Sequence, residues 1–184
     1  DVDYGTKDGD IMKAYCTPII IKVNNRSQLI SPTSKATLAY DPRTGAEKWR
    51  VRYKSFSATA RPLFGHGMLF INTGFGKADL IAVRPTGRGD VTDSHVVWTA
   101  KKSIGSKSSQ LLVDDLIYNV HDKGVATCME AQTGKVVWTQ RWQGQFSSSP
   151  IYVDSRIYFF NHEGKAWVIA PGREYNEIAV NTLD

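Results

Sequence analysis

Residues 39–49 read AYDPRTGAEKW, and residues 128–138 read CMEAQTGKVVW. Both stretches place an acidic residue, a Thr-Gly pair and a closing Trp at the same spacing. A third copy opens as AVRPTG at residues 82–87 and, after an insertion, closes as VVW at residues 96–98. Recurrence at about 40 to 50 residues predicts a repeat protein, in which each unit is one supersecondary element stacked against the next.

The start of each repeat is also marked, by a pair of residues that two apolar residues follow. The four pairs are Thr17-Pro18, Arg61-Pro62, Ser109-Gln110 and Ser149-Pro150. The two features divide the chain into four repeats, approximately residues 17–59, 60–107, 108–146 and 147–184. Repeats of this length are typical of four-stranded propeller blades.

Each repeat breaks into short apolar runs separated by turn residues, as β-strands do. In the third repeat the predicted strands are residues 111–113, 116–120, 125–129 and 136–142. In the fourth they are residues 151–153, 157–160 and 165–170, followed by a last strand within residues 175–183 that lacks the Trp. No helical periodicity competes with this pattern. The sequence therefore predicts an all-β chain of about four four-stranded antiparallel blades.

The repeated motif has a mechanical interpretation. Gly45 and Gly134 lie where the hairpin needs a positive φ, which glycine adopts without a Cβ clash. Asp41 and Glu130 precede these turns and are expected to accept backbone N–H bonds within them. The closing Trp side chains are expected to pack between neighbouring blades with their indole N–H groups bonded; they are Trp49, Trp98 and Trp138.

Residues 48–54 alternate between basic and apolar side chains. The basic row is Lys48, Arg50, Arg52 and Lys54. On an outer strand such a row discourages edge-to-edge pairing with another sheet. The alternative is a strip that binds a polyanion.

The pattern A-x-D-x-x-T-G-x-x-x-W of residues 39–49 resembles the tryptophan-docking motif of pyrroloquinoline-quinone (PQQ) type propeller repeats. The similarity extends over residues 17–184, and it is greatest to PQQ-binding-like propellers common in planctomycetes and related bacteria. The WD40 propeller signature is missing. The resemblance implies a quinoprotein-like β-propeller of seven or eight blades. Four blades would then be a fragment of a larger ring, or half of a ring that two copies close as a dimer.

The same resemblance raises the question of an enzyme. In many alcohol-oxidising relatives the quinone lies over a vicinal Cys-Cys disulfide, beside Ca²⁺ and a catalytic Asp. Here Cys16 and Cys128 are far apart, and no haem-attachment motif is present. We therefore predict a noncatalytic scaffold for protein or ligand binding, with no cofactor and no catalytic residue carried over. The alternatives are part of a PQQ-dependent dehydrogenase, with PQQ and Ca²⁺, or a sensor propeller associated with a bacterial serine/threonine protein kinase.

Candidate site residues outside the motif are few. His121-Asp122 and His162-Glu163 fall in equivalent turns and are weak candidates for a rim site, although solvated turn residues are the expected interpretation. His66 and His95 show no evident partner. Residues 147–149 are read as a blade-opening turn of three Ser without a paired base, not as a nucleophile.

Composition limits the partners. The 184 residues carry a formal net charge of +5, but the basic residues are scattered through every repeat and no nucleic-acid-binding module accompanies them. We predict no nucleic-acid binding and no transmembrane segment, and expect a protein partner or further blades of the parent chain. The resemblance implies a periplasmic or exported protein, although the chain begins without a readable signal segment. Cys16 and Cys128 are expected to be free, buried thiols.

Overall fold

The computed structural model describes residues 13–183. In these residues the strands form four sheets, each with four antiparallel strands in chain order, and one sheet also carries a short fifth strand paired in parallel. The prediction of an all-β chain with four four-stranded antiparallel blades is confirmed. The acidic first residues of the chain lie outside the described part.

The strands of the four blades follow in chain order. Blade 1 contains β1 (Ile19–Val23), β2 (Arg26–Pro32), β3 (Ala36–Tyr40) and β4 (Glu47–Arg52). Blade 2 contains β5 (Leu63–Gly65), β6 (Met68–Asn72), β7 (Leu80–Val83) and, after β8 (Gly89–Asp90) and the short helix α1 (Thr92–His95), β9 (Val96–Ala100). Blade 3 contains β10 (Leu111–Val113), β11 (Leu116–Val120), β12 (Val125–Glu130) and β13 (Val136–Arg141). Blade 4 contains β14 (Ile151–Val153), β15 (Arg156–Phe160), β16 (Lys165–Ile169) and β17 (Glu177–Thr182).

The insertion in the second repeat covers part of an edge that the sequence suggested was open. β8 pairs in parallel with β4, so that Trp49 lies opposite Gly89 and Arg50 opposite Asp90. β4 is the last strand of its blade, as the sequence predicted, but part of its outer edge is paired with β8 and is not left to the basic row alone. The next blade supplies backbone partners to this edge instead.

The outer hairpin of every blade shifts register at the same place. The shift falls between Ala39 and Tyr40 in blade 1 and at the equivalent position in the other three. It sets each Trp opposite a residue of the third strand, as Trp138 lies opposite Cys128. In blade 4 the residue at this place is Ala179, opposite Val168.

The hydrophobic core lies between the blades. Blade 1 packs on blade 2 through Trp49, Val51 and Ile71, all fully buried. Blade 2 packs on blade 3 in the same way, with Phe70 against Ile117 in one buried cluster. The third cluster joins blades 3 and 4 and is aromatic, with rings from Tyr118, Trp142, Phe146, Phe159 and Trp167. Because a single blade has little interior of its own, removal of apolar surface from water at these junctions holds the fold together.

In the described residues α1 has four residues, and no helix is long and apolar enough to cross a membrane.

Candidate functional site: the blade junctions and the rim

The two motif glycines have the backbone conformation that the hairpin requires. Gly45 has φ of 72° and Gly134 has φ of 69°. Their surroundings differ: a Cβ on Gly45 would meet nothing within 4 Å, whereas one on Gly134 would lie 2.7 Å from the Trp98 ring of the preceding blade. Gly134 therefore serves both the turn and the packing of one blade on another.

The acidic residues before these turns act differently. The Asp41 carboxylate accepts the backbone N–H of Arg43 at 3.0 Å. This bond is the main cause that holds the pKa of Asp41 below its usual range. The Glu130 carboxylate, by contrast, accepts the Thr133 hydroxyl at 2.8 Å and the Arg173 guanidinium at 2.8 Å. The expected backbone bond to Glu130 is thus replaced by a contact with blade 4.

The closing Trp side chains bond to the next blade. The indole nitrogen of Trp98 donates to the carbonyl oxygen of Ala131 at 3.0 Å. The indole nitrogen of Trp138 donates to the carbonyl oxygen of Gly172 at 3.2 Å. Both acceptors lie in the chain that follows the third strand of the neighbouring blade. A buried indole needs such a partner, and here the partner fixes one blade against the next.

Trp49 reaches the next blade through a relay. Its indole nitrogen donates to the Gln28 side-chain oxygen at 2.8 Å. The Gln28 amide nitrogen in turn donates to the carbonyl oxygen of Pro85, in blade 2, at 3.0 Å. Gln28 is the functional residue that motif reading missed, because its position in β2 lies far from the motif in sequence.

Serine hydroxyls join the blades at their starts. The backbone N–H of Arg61 donates to the Ser109 hydroxyl at 3.0 Å, and the backbone N–H of Ser109 donates to the Ser149 hydroxyl at 3.0 Å. These residues belong to the pairs that open each repeat. The pairs therefore mark a chain of hydrogen bonds from blade 2 to blade 4.

The first rim pair is occupied by turn and loop contacts. The Asp122 carboxylate accepts the backbone N–H of Ser106 at 2.8 Å and the Ser106 hydroxyl at 2.5 Å. The His121 Nδ1 atom accepts the backbone N–H of Lys123 at 3.1 Å. Asp122 thereby ties the loop that leaves blade 2 to a turn of blade 3.

The second rim pair lies at the equivalent turn of blade 4. The His162 Nε2 atom lies 2.7 Å from the Ser147 hydroxyl oxygen. The backbone N–H of Glu163 donates to the Asn161 side chain at 3.1 Å. Ser147 thus has a paired base, contrary to the sequence-based interpretation of residues 147–149. The pair is exposed, and no carboxylate in the described part of the chain is hydrogen-bonded to His162 to complete a triad.

The remaining histidines also have partners, contrary to expectation. The His66 Nε2 atom lies 2.7 Å from the carbonyl oxygen of Asp114, which joins blades 2 and 3. The His95 Nδ1 atom lies 2.8 Å from the hydroxyl oxygen of its neighbour Ser94. Both contacts are local or between blades, and neither gathers a reactive group.

The basic row of β4 is divided among ion pairs. Arg50 binds both carboxylate oxygens of Glu47, and Arg52 binds Asp90 at 2.9 Å. Lys48 lies 3.5 Å from Asp41. Three of the four cations thus have an acidic neighbour, which removes the continuous strip that a polyanion would need.

The cysteines do not form a quinone support of the kind found in alcohol-oxidising relatives. Both are free; Cys128 is buried and Cys16 is half-buried, less than expected. Burial raises the pKa of the Cys128 thiol to about 12 and that of Cys16 to about 11. Cys128 lies in the cluster between blades 3 and 4, where its sulfur is 3.9 Å from the Gly172 carbonyl oxygen.

The acidic residues do not fit a metal site either. Within residues 13–183 no three His, Cys, Asp or Glu side chains lie close enough to hold a metal ion. The four rim candidates therefore do not come together as one such group.

Comparison with known proteins agrees with the geometry. Residues 87–173 match the family model described as outer membrane protein assembly factor BamB. A search of curated protein sequences finds no significant match. Among solved structures, BamB from Moraxella catarrhalis is similar at 20% identity with a TM-score of 0.71, over 94% of this chain and 50% of that one. A europium-containing methanol dehydrogenase is similar at 13% identity with a TM-score of 0.67, over 89% of this chain and 41% of that one.

These relatives are longer proteins. The chain spans about half the length of the BamB structure and less of the dehydrogenase. At such identities the structural likeness shows the fold, and the sequence match covers a little under half of the chain. Together with the repeated Trp motif, the matches identify the chain as a β-propeller protein built of PQQ-type repeats.

Proposed function

We propose that the chain is part of a noncatalytic β-propeller scaffold that binds a protein partner. The observation that carries this proposal is the use of the polar motif and rim groups. The indoles of Trp98 and Trp138, and the carboxylates of Asp122 and Glu130, are bonded to a neighbouring blade or the loop leading to it. Because these polar groups hold neighbouring blades together, they are not available to react with or bind a ligand. We therefore expect a partner to bind at other surfaces of the rigid blades.

The matched family supports a role in protein binding. Its description is that of an outer membrane protein assembly factor. A chain with the same repeat is a natural candidate for a comparable task, in the periplasm or outside the cell. The alternative of a kinase-associated sensor stays a prediction, and a kinase domain in the same gene would support it.

The open face of blade 4 supports completion of the ring by further blades. In blades 1 to 3 the face that carries the Trp is covered by the next blade. In blade 4 the corresponding row is Ile151, Tyr158, Val168 and Ala179, as the strand pairing shows. Ile151 is 53% exposed, and Val153 on the same strand is 48% exposed. We infer that a following blade, or a second copy acting as the other half-ring, packs here.

A PQQ titration of the full-length protein tests the scaffold proposal. PQQ is added with and without Ca²⁺ while Trp fluorescence is recorded, on protein shown by circular dichroism to be folded. The scaffold proposal predicts no saturable quenching. Tight, stoichiometric and Ca²⁺-dependent quenching would instead support the dehydrogenase alternative and would overturn a purely architectural use of the repeat.

A further inference from the structure

A groove lies where the end of blade 1 meets the loop between β6 and β7 of blade 2. Its volume is about 550 Å³. Residues 52–56 form one wall and the loop at residues 73–79 forms the opposite one, and residues of β7, α1 and β9 with Lys101 complete the lining. No Trp-motif residue and none of the four rim candidates lines it.

An aromatic side chain is held exposed in this groove. Phe75 is 54% exposed, although it sits in a loop with a defined conformation. Its backbone N–H donates to the carbonyl oxygen of Phe56 at 2.6 Å, and the two rings meet edge to face with centroids 6.1 Å apart. A large apolar side chain in a fixed position pays little entropy on binding and is typical of an interface anchor.

The loop that presents Phe75 is built from specific contacts. Gly74 has φ of 104°, and a Cβ at this residue would lie 2.3 Å from the carbonyl oxygen of Phe56. The backbone N–H of Gly74 donates to the Asn72 side chain at 2.9 Å, and the Ser55 hydroxyl donates to the carbonyl oxygen of Lys77 at 2.7 Å. The two walls of the groove are thus bonded to each other.

Positively charged side chains line the same groove as Phe75. Lys54, Lys77 and Lys101 line the groove, and all three are exposed. In the described residues none of them forms a salt bridge, in contrast to Arg52, which Asp90 neutralises. Asp79 also lines the groove, and within the described residues its carboxylate forms no salt bridge. Its buried Oδ1 atom accepts no hydrogen bond from these residues.

We propose that this groove binds an acidic peptide segment of a partner protein, with one aromatic or large apolar side chain placed against Phe75 and carboxylates directed at the three lysines. The inference rests on the proposed scaffold function and names its binding surface. The apolar contact supplies affinity, and the lysines supply orientation and an increased association rate.

The shape of the site favours a peptide over a nucleic acid. Single-stranded nucleic acid needs several aromatic platforms along a continuous basic track. Here one strongly exposed ring shares a single groove with three lysines, and the neighbouring basic row of β4 is divided among ion pairs. An oligonucleotide is therefore an outcome of the test and not the expected ligand.

The probe is a heptapeptide that carries fluorescein on its N-terminal amine, fluorescein-Asp-Glu-Asp-Phe-Asp-Glu-Asp-amide, titrated with the full-length protein at low and moderate salt and followed by anisotropy. A matched peptide with Ser in place of Phe and a labelled dT oligonucleotide are measured in parallel. Saturable, salt-sensitive binding of the Phe peptide is expected, at least about fivefold tighter than that of the Ser peptide.

Four variants locate the binding. Phe75→Ala and Lys77→Glu are each expected to weaken the Phe peptide about tenfold, and Asp79→Asn to strengthen it about threefold by removing a repulsive charge. Lys123→Glu, an exposed charge reversal in blade 3, is the matched control and is expected to change affinity less than about twofold. Circular dichroism confirms folding of each variant.

Three results would overturn the proposal: no peptide binding at millimolar concentration, equal binding by Phe75→Ala, or tighter binding of the oligonucleotide. These results would leave the scaffold function standing as long as PQQ does not bind. Ca²⁺-dependent PQQ binding, by contrast, would remove the scaffold function whatever the peptide does.

Discussion

The indole nitrogen of Trp138 donates a hydrogen bond to the carbonyl oxygen of Gly172 across the junction of blades 3 and 4, over 3.2 Å. The same relationship joins Trp98 to Ala131 one junction earlier. The motif that defines the repeat in sequence is therefore a fastening device in the structure. Its conservation of form between blades follows from the need to stack one blade on the next.

Replacing Trp138 by Phe removes the hydrogen bond and keeps an aromatic ring at the junction. We expect the free energy of unfolding to fall by about 1–2 kcal/mol, because the Gly172 carbonyl loses the indole N–H and keeps only the weak contact with the Cys128 thiol, and because some apolar contact is lost. Urea unfolding followed by circular dichroism measures the change. Val136→Ala, on the same strand but 51% exposed, is the control and should stay within about 0.5 kcal/mol of the wild type. Equal effects of the two substitutions would contradict the fastening role.

The two motif glycines provide a matched pair. In Gly45→Ala the new Cβ meets no other atom, so the only cost is the strain of a positive φ, and we expect the free energy of unfolding to fall by about 1 kcal/mol. Gly134→Ala has the same backbone strain, and its Cβ would also clash with the Trp98 ring, so we expect the free energy of unfolding to fall by about 2–3 kcal/mol. Thermal or urea unfolding of both variants gives the difference. A Gly45→Ala variant less stable than Gly134→Ala would show that the ring contact has no energetic weight.

The relay through Gln28 predicts a large effect from a residue outside the motif. In Gln28→Met the Trp49 indole and the Pro85 carbonyl both lose their partner in a buried place. We expect a loss of about 2–4 kcal/mol, because unpaired buried polar groups bear their full desolvation cost. Gln132→Met makes the same chemical change at an exposed position and should cost less than about 0.5 kcal/mol. A mild Gln28→Met effect would mean that the relay contributes little.

The thiols report on burial. Because burial raises the pKa values of Cys128 and Cys16 to about 12 and about 11, neither forms much thiolate at pH 8 in the folded chain. Ellman's reagent should react slowly with Cys16 and far more slowly with Cys128, and should react with both at once in denaturant. A Cys16→Ser variant isolates the signal of Cys128, and rapid reaction of that variant in native buffer would show that the junction is open.

The same pKa shifts have a consequence for stability at high pH. The folded pKa of each thiol lies above its ordinary value of 9.0, so the unfolded chain loses these protons first as pH rises. Their contribution is complete below about pH 9 and is lost progressively toward pH 12. As the pH rises from 8 to 12, the urea concentration at the unfolding midpoint should fall more for the wild type than for Cys128→Ala, with each protein compared with its own midpoint at pH 8.

The architecture could be predicted because most repeats carry two recognisable features, one at the start of the repeat and one near its end. The closing Trp residues mark the outer hairpin and the residue pairs that open each repeat mark the first strand, so the number of blades followed from the spacing and the strands within each blade from the apolar runs and turn residues. The missing Trp of the fourth repeat was also visible, and the register shows Ala179 in its place.

Contacts between blades could not be predicted in the same way. The bonds between Asp122 and Ser106 and between Gln28 and Pro85 join residues whose proximity depends on how the blades stack. The pairing of β8 with β4 depends likewise on an insertion whose path no periodicity describes. The exposure of Phe75 is invisible in sequence, because an apolar residue between strands reads as part of a core until its loop is seen.

Hydrogen exchange of the indole N–H groups, followed by NMR on ¹⁵N-labelled protein, tests most directly the claim that the repeat's Trp fastens each blade to the next. The account predicts slow exchange at Trp49, Trp98 and Trp138, slowest at the fully buried Trp49. The same indole groups in urea-unfolded protein give the unprotected reference rate. Exchange of Trp98 and Trp138 as fast as that reference would contradict the claim.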